Sequence, residues 1–306
     1  MSDTINYKNL VDFHTHSTAS DGSFSPSELA ELAGRRQVTA IALTDHDTVA
    51  GVREFLETGK KYPETEFIPG VELSSLYGSR ELHIVGLYVD TENADFLSYL
   101  EQMRVWRLER NIEMAKRLAS LGCPIDSEEL DFVHNDSIGR VHFAAYLVKH
   151  YGFESIQNVF DRFLKKNCSA YVQRKLPMPS DAIEIIRKAK GLAIWAHPIS
   201  RDQKNSASFA RRLVKKMKDY GLNGVECYYS MFSNAETNIL KEITSNHELL
   251  ISGGSDFHGE NRPGIDICTG GGKMAIPLET LEIMKEYRAS LYGILRNRKN
   301  VQPDVY

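Results

Sequence analysis

The stretch that decides the fold is Asp12-Phe13-His14-Thr15-His16-Ser17, followed closely by Asp21. It continues the short apolar run Leu10-Val11, as the end of a buried strand does. Residues two apart on a strand project to the same face, so the imidazoles of His14 and His16 point at one spot. Imidazole is a ligand for Zn, Mn and Fe, and Asp21 adds a carboxylate oxygen. The alternative is that His14 and His16 are an exposed pair on an edge strand. Further potential ligands elsewhere in the chain would favour the metal site.

Length and composition set limits on the class of protein. The chain has 306 residues, which fits two domains or a single large α/β barrel. Its net charge of -4 argues against a broad surface for duplex nucleic acid. The four cysteines contain no C-x-x-C pair and fit reduced thiols. Residues 1–9 lack a signal-peptide core, and no apolar run is long enough to cross a bilayer. We therefore expect a cytoplasmic protein with no membrane partner.

Apolar strands alternate with amphipathic helices in both halves of the chain. The first helix is predicted to begin at Ser25-Pro26-Ser27-Glu28, which has the pattern of a capping box with proline at the first helical position. This strand-helix rhythm predicts an α/β fold with parallel pairing and crossover helices. The predicted later strands are 39–43, 67–71, 82–88, 192–196, 224–227 and 249–252.

The rhythm is interrupted between residues 93 and 166, where the sequence looks entirely helical. A segment of this length without a strand is too long for a crossover connection. We therefore predict a helical insertion at 93–166 that caps the active site. The barrel itself is then built from residues 1–92 and 167–306.

Potential ligands fall repeatedly at the ends of the predicted strands. In α/β barrels the carboxyl ends of the strands form one rim, and active sites lie there. His83 is the exception, because it lies near the start of its apolar run; that strand is short, shifted or oppositely directed. The residues concerned are His14, His16, Asp45, His46, Glu72, His83, His197, Asp256 and His258.

This inventory is rich in histidine, contains several carboxylates and has no thiolate. It suits two or three Mn, Fe or Zn ions, with Mn our first expectation and Mg less natural. Ions a few Å apart can hold a hydroxide between them and clamp a phosphoryl group. We expect this metal-bound hydroxide to attack phosphorus, so no side-chain nucleophile is required, and the sequence has no G-x-S-x-G element.

Six segments together resemble the motifs of the polymerase-and-histidinol-phosphatase (PHP) family of metallo-phosphoesterases. They are HTHSTASDGSFSP, LTDHDT, PGVELS, ELHIVGLYV, AHP and GSDFHG. The resemblance implies a distorted (β/α)7 TIM-like barrel with a trinuclear metal site at its rim. It also implies three ligand sets: His14, His16, Glu72 and Asp256; Glu72, His83 and His197; and Asp21, His46 and His258. We expect Asp45 and Asp47 to orient ligands, and Glu226 to support the site without binding metal.

The helical insertion and the segment 138–143 resemble the small-nucleotide branch of this family. That branch contains 3',5'-nucleoside bisphosphate phosphatases, some of which also act as 5'-3' exoribonucleases on short RNA. The resemblance implies a small phosphorylated substrate, cleaved to a nucleoside 5'-monophosphate. Arg140 could grip a second phosphate bidentately, with His142 as a further donor and Lys166 and Arg262 as weaker candidates. The alternative for Arg140 is a surface ion pair.

Two other functions stay open at this point. One is a different small-molecule phosphatase, such as a histidinol-phosphate phosphatase. The other is a non-catalytic metal-dependent binding module, against which the complete ligand set argues. The sequence makes no prediction of the oligomeric state.

Overall fold

A computed structural model describes residues 6–133, 138–200, 205–272 and 274–294. Within these ranges seven strands form one sheet, and the order of the strands in space follows their order in the chain. The strands are β1 (Val11–Asp12), β2 (Ala40–Leu43), β3 (Glu66–Tyr77), β4 (Arg80–Leu87), β5 (Leu192–Ala196), β6 (Gly224–Tyr229) and β7 (Leu250–Gly254).

The first and last strands approach each other and nearly close the sheet into a barrel. The amide of Phe13 donates to the carbonyl of Gly253 over 3.2 Å, and Thr15 forms a parallel bridge with Phe257. Gly254 permits this approach, because a Cβ atom there would lie 2.1 Å from Cβ of His14. The predicted barrel is therefore confirmed.

Strand β4 differs from the other six in its direction. β1, β2 and β3 pair in parallel, as do β5, β6 and β7, whereas β4 is antiparallel to both β3 and β5. A hairpin turn at Gly78, with φ of +63°, joins β3 to β4 without a helix. The predicted parallel rhythm is wrong at this point. β3 also extends beyond the predicted residues 67–71, because it pairs with β4 as far as Tyr77.

The hairpin explains the position of His83. In an antiparallel strand the amino end lies beside the carboxyl ends of its neighbours, and His83 pairs with Ala196 at the end of β5. Of the three explanations that the sequence allowed, the opposite direction is the correct one. His83 therefore reaches the same rim as the other histidines.

Helices cover the outside of the barrel. They are α1 (Pro26–Arg36), α2 (Val52–Gly59), α7 (Pro179–Lys188), α8 (Ala207–Asp219), α9 (Asn234–Asn246) and α10 (Glu279–Tyr292). Helix α1 begins as predicted: the Ser25 hydroxyl accepts from the Glu28 amide, and the Glu28 carboxylate accepts from the Ser25 amide. The largest apolar cluster lies between β3–β6 and the helices α7–α9, with Trp195 fully buried within it.

The segment between β4 and β5 has no strand in its described residues, and its helices before residue 165 form the insertion. It contains α3 (Ala94–Ser120), α4 (Ser127–Leu130), α5 (Arg140–Tyr151), α6 (Ile156–Val159) and a π-helical turn at Phe160–Leu164.

Helix α3 connects the barrel to a second apolar core. Its first turns bury Phe96 and Met103 in the barrel cluster, and its later turns bury Met114 and Leu118 in a separate cluster. The second cluster supports our proposal that the helices form an inserted unit. No helix in the described ranges has the length and apolar character needed to cross a lipid bilayer.

Candidate metal centre

Nine side chains converge at the rim of the barrel. They form four overlapping groups of three or four, and within each group the potential ligand atoms lie within 4.8 Å of one another. The nine are the residues that the resemblance implied as ligands: His14, His16, Asp21, His46, Glu72, His83, His197, Asp256 and His258.

Glu72 lies at the centre of this cluster and is fully buried. Its Oε1 lies 3.0 Å from Nδ1 of His83 and 2.9 Å from Nε2 of His197. Its Oε2 lies 2.9 Å from Nδ1 of His46. Burial raises the pKa of Glu72, but the surrounding histidines, first His46 and then His14, outweigh burial and hold the pKa well below its usual value. Glu72 is therefore an ionised carboxylate with both oxygens facing imidazoles.

Two further carboxylates, Asp256 and Asp21, lie close to the histidines of the cluster. Oδ1 of Asp256 lies 3.2 Å from Nε2 of His16. Oδ1 of Asp21 lies 3.2 Å from Nε2 of His258, and its Oδ2 lies 3.7 Å from Nε2 of His46. Asp256 therefore lies beside His16, and Asp21 lies between His258 and His46.

Several buried ligand atoms lie close to one another but make no hydrogen bond of acceptable geometry among the described residues. These atoms are Nε2 of His14, Nε2 of His16, Nδ1 of His46 and Oε2 of Glu72. Buried polar atoms are almost always satisfied in folded proteins, so a group of unsatisfied ones at a single site needs an explanation. Imidazole nitrogens with carboxylate oxygens are a donor set for divalent transition metals. The residues present therefore fit such ions.

Glu226 supports the cluster from behind. Its Oε1 lies 2.9 Å from Nδ1 of His14, and its Oε2 accepts the backbone amide of His197 over 2.6 Å. It belongs to none of the four ligand groups. This is the supporting position that the sequence predicted for it.

The two aspartates beside His46 have different partners. Asp45 accepts from the Ser17 amide over 2.8 Å and from the Ser20 hydroxyl over 2.6 Å, which fixes the loop after β1. The side chain of Asp47 makes its hydrogen bonds to Ser74 and to two arginines rather than to a ligand, which corrects our expectation that it orients one. Oδ2 of Asp47 lies 2.7 Å from Nη2 of Arg107 and 2.8 Å from Nη2 of Arg174.

Three residues at this rim have backbone conformations in the left-handed region. His197, Asp256 and Asp47 have φ angles of 28°, 55° and 57°. Such conformations are costly for residues other than glycine and recur at functional sites.

A cavity of about 850 Å³ lies between the rim and the inserted helices. Four of its lining residues belong to the ligand cluster: Asp21, His46, His83 and His258. The insertion and the segment that follows it contribute five of its six arginines, here called the cavity arginines: Arg104, Arg107, Arg110, Arg140 and Arg174.

Arg140 and His142, which the sequence predicts to bind substrate, both line this cavity. The guanidinium of Arg140 lies 5.9 Å from the ring centroid of Phe160 and 6.0 Å from that of Tyr171. Among the described residues no carboxylate pairs with Arg140. Nδ1 of His142 accepts the Gly139 amide over 3.0 Å, so Nε2 is the atom left for substrate.

The two weaker candidates have different outcomes. Arg262 lines the cavity, but its guanidinium is bound to the carboxylate of Asp256, which also accepts from the hydroxyl of Tyr229 over 2.8 Å. Lys166 is exposed and does not line the cavity. The π-helical turn that ends at Leu164 buries Leu164 and leaves the residues after it at the surface.

Sequence reasoning missed most of the cavity arginines. Arg104, Arg107 and Arg110 recur at every third residue of α3, a spacing that puts them on one face of a helix. This signal was available in the sequence. Arg174 follows the insertion in an irregular segment, and no sequence pattern pointed to it.

A nearly closed barrel with buried histidines and carboxylates at its rim is the arrangement of a metal-dependent phosphoesterase. Comparison with known families gives the same class: the PHP domain matches residues 12–166. The chain belongs to the PHP family and is a hydrolase of phosphoric esters.

Individual relatives fall within the same family. The chain is 34% identical to the 5'-3' exoribonuclease of Haemophilus influenzae over 247 residues, covering 81% of this chain and 89% of that protein. It is 30% identical to the 3',5'-nucleoside bisphosphate phosphatase of Chromobacterium violaceum over 259 residues, covering 84% and 90%. A crystal structure from Bifidobacterium adolescentis, described as a candidate metal-dependent phosphoesterase, superposes with a TM-score of 0.73 at 25% identity, covering 90% of this chain and 94% of that one.

Proposed function

We propose that this protein removes the 3'-phosphate from a nucleoside 3',5'-bisphosphate and releases the nucleoside 5'-monophosphate. One observation carries the proposal: a single cavity is lined both by residues of the ligand cluster and by Arg107, Arg110, Arg140 and Arg174. Asp47 pairs with Arg107 and Arg174, and Glu81 pairs with Arg174, whereas Arg110 and Arg140 have no carboxylate partner among the described residues. A substrate with two phosphates has one group for the cluster and one for these arginines.

The nine rim residues would hold two or three divalent ions, for which we propose Mn ahead of Fe or Zn. One ion would take His14, His16, Glu72 and Asp256, a second Glu72, His83 and His197, and a third Asp21, His46 and His258. When bound, such ions activate water and neutralise charge on phosphoryl oxygens. The chain's own contribution is to fix the ligands, through Glu226 behind His14 and through the hydrogen bond from Tyr229 to Asp256.

The remainder of the cavity fits the organic part of a nucleotide. Leu97 and Val141 line it and are 41% and 55% exposed, although both are apolar. Phe160 adds an aromatic ring to the same wall. Apolar side chains left open at a binding cavity favour contact with a ligand. Arg140, with Nε2 of His142, would hold the second phosphate of the same molecule.

A second candidate activity is 5'-3' hydrolysis of short RNA. The observation that favours it is the 34% identity to an exoribonuclease, which exceeds the 30% identity to the bisphosphate phosphatase. A short oligoribonucleotide also carries several phosphates, and successive arginines suit such a chain.

Product analysis on a panel of substrates tests the proposal. Adenosine 3',5'-bisphosphate, histidinol phosphate and a 5'-phosphorylated trinucleotide would each be incubated with the Mn-loaded protein, and products resolved by chromatography and 31P NMR. We expect adenosine 5'-monophosphate and inorganic phosphate from the first. Faster turnover of histidinol phosphate, or release of adenosine 3'-monophosphate, would contradict the proposal. Rapid release of 5'-mononucleotides from the trinucleotide would establish the second activity.

A further inference from the structure

Arg110 is a buried cation that forms no ion pair with any described carboxylate. Its side chain lines the cavity, yet the residue is only 5% exposed. Its Nε has no hydrogen-bond partner, and no described carboxylate pairs with its guanidinium. A buried charge is costly unless it is paired and hydrogen-bonded. In the ligand-free protein, the charge of Arg110 is therefore not balanced by a described carboxylate.

The neighbours of Arg110 increase this cost. Burial is the largest cause that lowers the pKa of Arg110 to about 9, followed by the positive charges of Arg174, Arg107 and Arg140. Glu81 acts in the opposite direction but does not compensate. Two of the three neighbouring arginines already have partners: Arg107 binds Asp47, and Arg174 binds Asp47 and Glu81.

The position of Arg110 on α3 is fixed from both sides. Met103, two turns before it, is buried in the barrel cluster, and Met114, one turn after it, is buried in the cluster of the insertion. A side chain held between two packed cores cannot swing out to water without disturbing one of them. The charge is therefore kept in the cavity, where a ligand can reach it.

We propose that Arg110 is the inner contact of an anion subsite that receives the second phosphate of the substrate. The assignment rests on the proposed bisphosphatase function and adds a specificity residue to it. A phosphate dianion supplies the missing counter-charge and also relieves the repulsion among Arg110, Arg140 and Arg174. The planar edge of a guanidinium matches two phosphate oxygens, which a water molecule does not replace.

Phosphate binding can be measured independently of the metals. Full-length protein in EDTA would be titrated with inorganic phosphate by calorimetry, comparing wild type with Arg110→Met and with Lys116→Met. Lys116 is exposed on the same helix and lies outside the cavity. Lys116→Met therefore removes one positive charge, as Arg110→Met does, without changing the cavity. We expect roughly tenfold weaker binding or more for Arg110→Met, the size of a lost charged hydrogen bond. Lys116→Met should stay within about twofold of wild type.

Folding of the variant is checked by thermal unfolding of the same samples. Removing an unpaired buried charge should leave the melting temperature of the ligand-free protein unchanged or higher. If Arg110→Met does not fold, Arg110→Lys takes its place: it retains the charge without the planar fork, so its phosphate affinity should fall below that of wild type. Equal affinity in wild type and the Arg110 variants, or no phosphate binding by wild type, would overturn the subsite.

Kinetics connect the subsite to the substrate. With Mn-loaded protein, Arg110→Met should lose tenfold or more in kcat/KM for adenosine 3',5'-bisphosphate and almost nothing for p-nitrophenyl phosphate. Loss of phosphate binding with unchanged kinetics on both substrates would mean that the subsite takes free phosphate only, and would overturn its role in specificity. A wild-type protein that binds phosphate through Arg110 but does not cleave the bisphosphate would refute the proposed function and leave the anion subsite standing.

Discussion

Oε1 of Glu226 lies 2.9 Å from Nδ1 of His14, on the side of the ring that faces away from the cluster. The carboxylate therefore holds the proton on Nδ1 and leaves Nε2 as the atom that faces Glu72 over 3.3 Å. The two residues are 212 positions apart in the chain, Glu226 on β6 and His14 in the segment after β1. The pair fixes which nitrogen of His14 is available as a ligand.

We expect Glu226→Gln to lower metal affinity by roughly 10–100-fold, because an amide fixes the imidazole less firmly. Metal content after dialysis and activity as a function of added Mn would measure the effect. Activity should recover at high metal concentration. Glu242→Gln, which changes an exposed residue on α9, is the matched control. Unchanged metal affinity in Glu226→Gln would contradict the supporting role.

The rim cluster could be predicted from the sequence because its residues follow the ends of apolar strands. The pair of His14 and His16 was visible from strand periodicity alone. The set of potential ligands included His83, but its place at the rim could not be predicted from periodicity, which does not reveal the direction of a strand. The antiparallel pairing of β4 is a long-range property, decided by the hairpin at Gly78 and by its pairing with β5.

Asp47 should be important for stability although it is not a proposed ligand. Asp47→Asn removes the negative charge between Arg107 and Arg174 and leaves two guanidiniums close together in a buried site. Loss of one partner of a buried ion pair costs about 3 kcal/mol, which denaturant unfolding would measure. Glu109→Gln, which breaks the exposed pair with Lys175, should leave the free energy of unfolding nearly unchanged. Equal effects of the two substitutions would contradict this account.

Closure of the barrel depends on the absence of a side chain at position 254. Gly254→Ala places a Cβ atom 2.1 Å from Cβ of His14, so β7 and the segment after β1 must move apart. We expect a loss of about 2 kcal/mol or more in the free energy of unfolding, together with weaker metal binding. Gly271→Ala is the control, because a Cβ atom there meets nothing within 4 Å. A Gly254→Ala protein with normal stability and metal content would be evidence against closure at this point.

The position of the cavity arginines could not be predicted from the sequence. The insertion was predicted as helical, and Arg104, Arg107 and Arg110 were visible at helical spacing. The spacing does not reveal which face of α3 is oriented toward the rim. The orientation of α3 depends on how the insertion packs on the barrel through residues such as Phe96 and Met103.

Arg140 and Lys166 provide a paired test of the substrate residues. Arg140→Ala should lower kcat/KM for adenosine 3',5'-bisphosphate by about tenfold or more and leave p-nitrophenyl phosphate nearly unaffected, because only the first substrate has a second phosphate. Lys166→Ala should change neither, since Lys166 is exposed and outside the cavity. Steady-state kinetics on both substrates would decide. Equal losses on both substrates would remove Arg140 from second-phosphate recognition.

The rim cluster is expected to bind metal, and the bound metal to drive hydrolysis of phosphate esters. The most direct measurement is phosphate release from adenosine 3',5'-bisphosphate by wild type and by His14→Ala/His16→Ala, with metal content determined on the same samples. We expect two or three equivalents of metal and rapid phosphate release in wild type, and a large loss of both in the variant. Undiminished hydrolysis by the variant, or by wild type stripped of metal, would contradict this expectation.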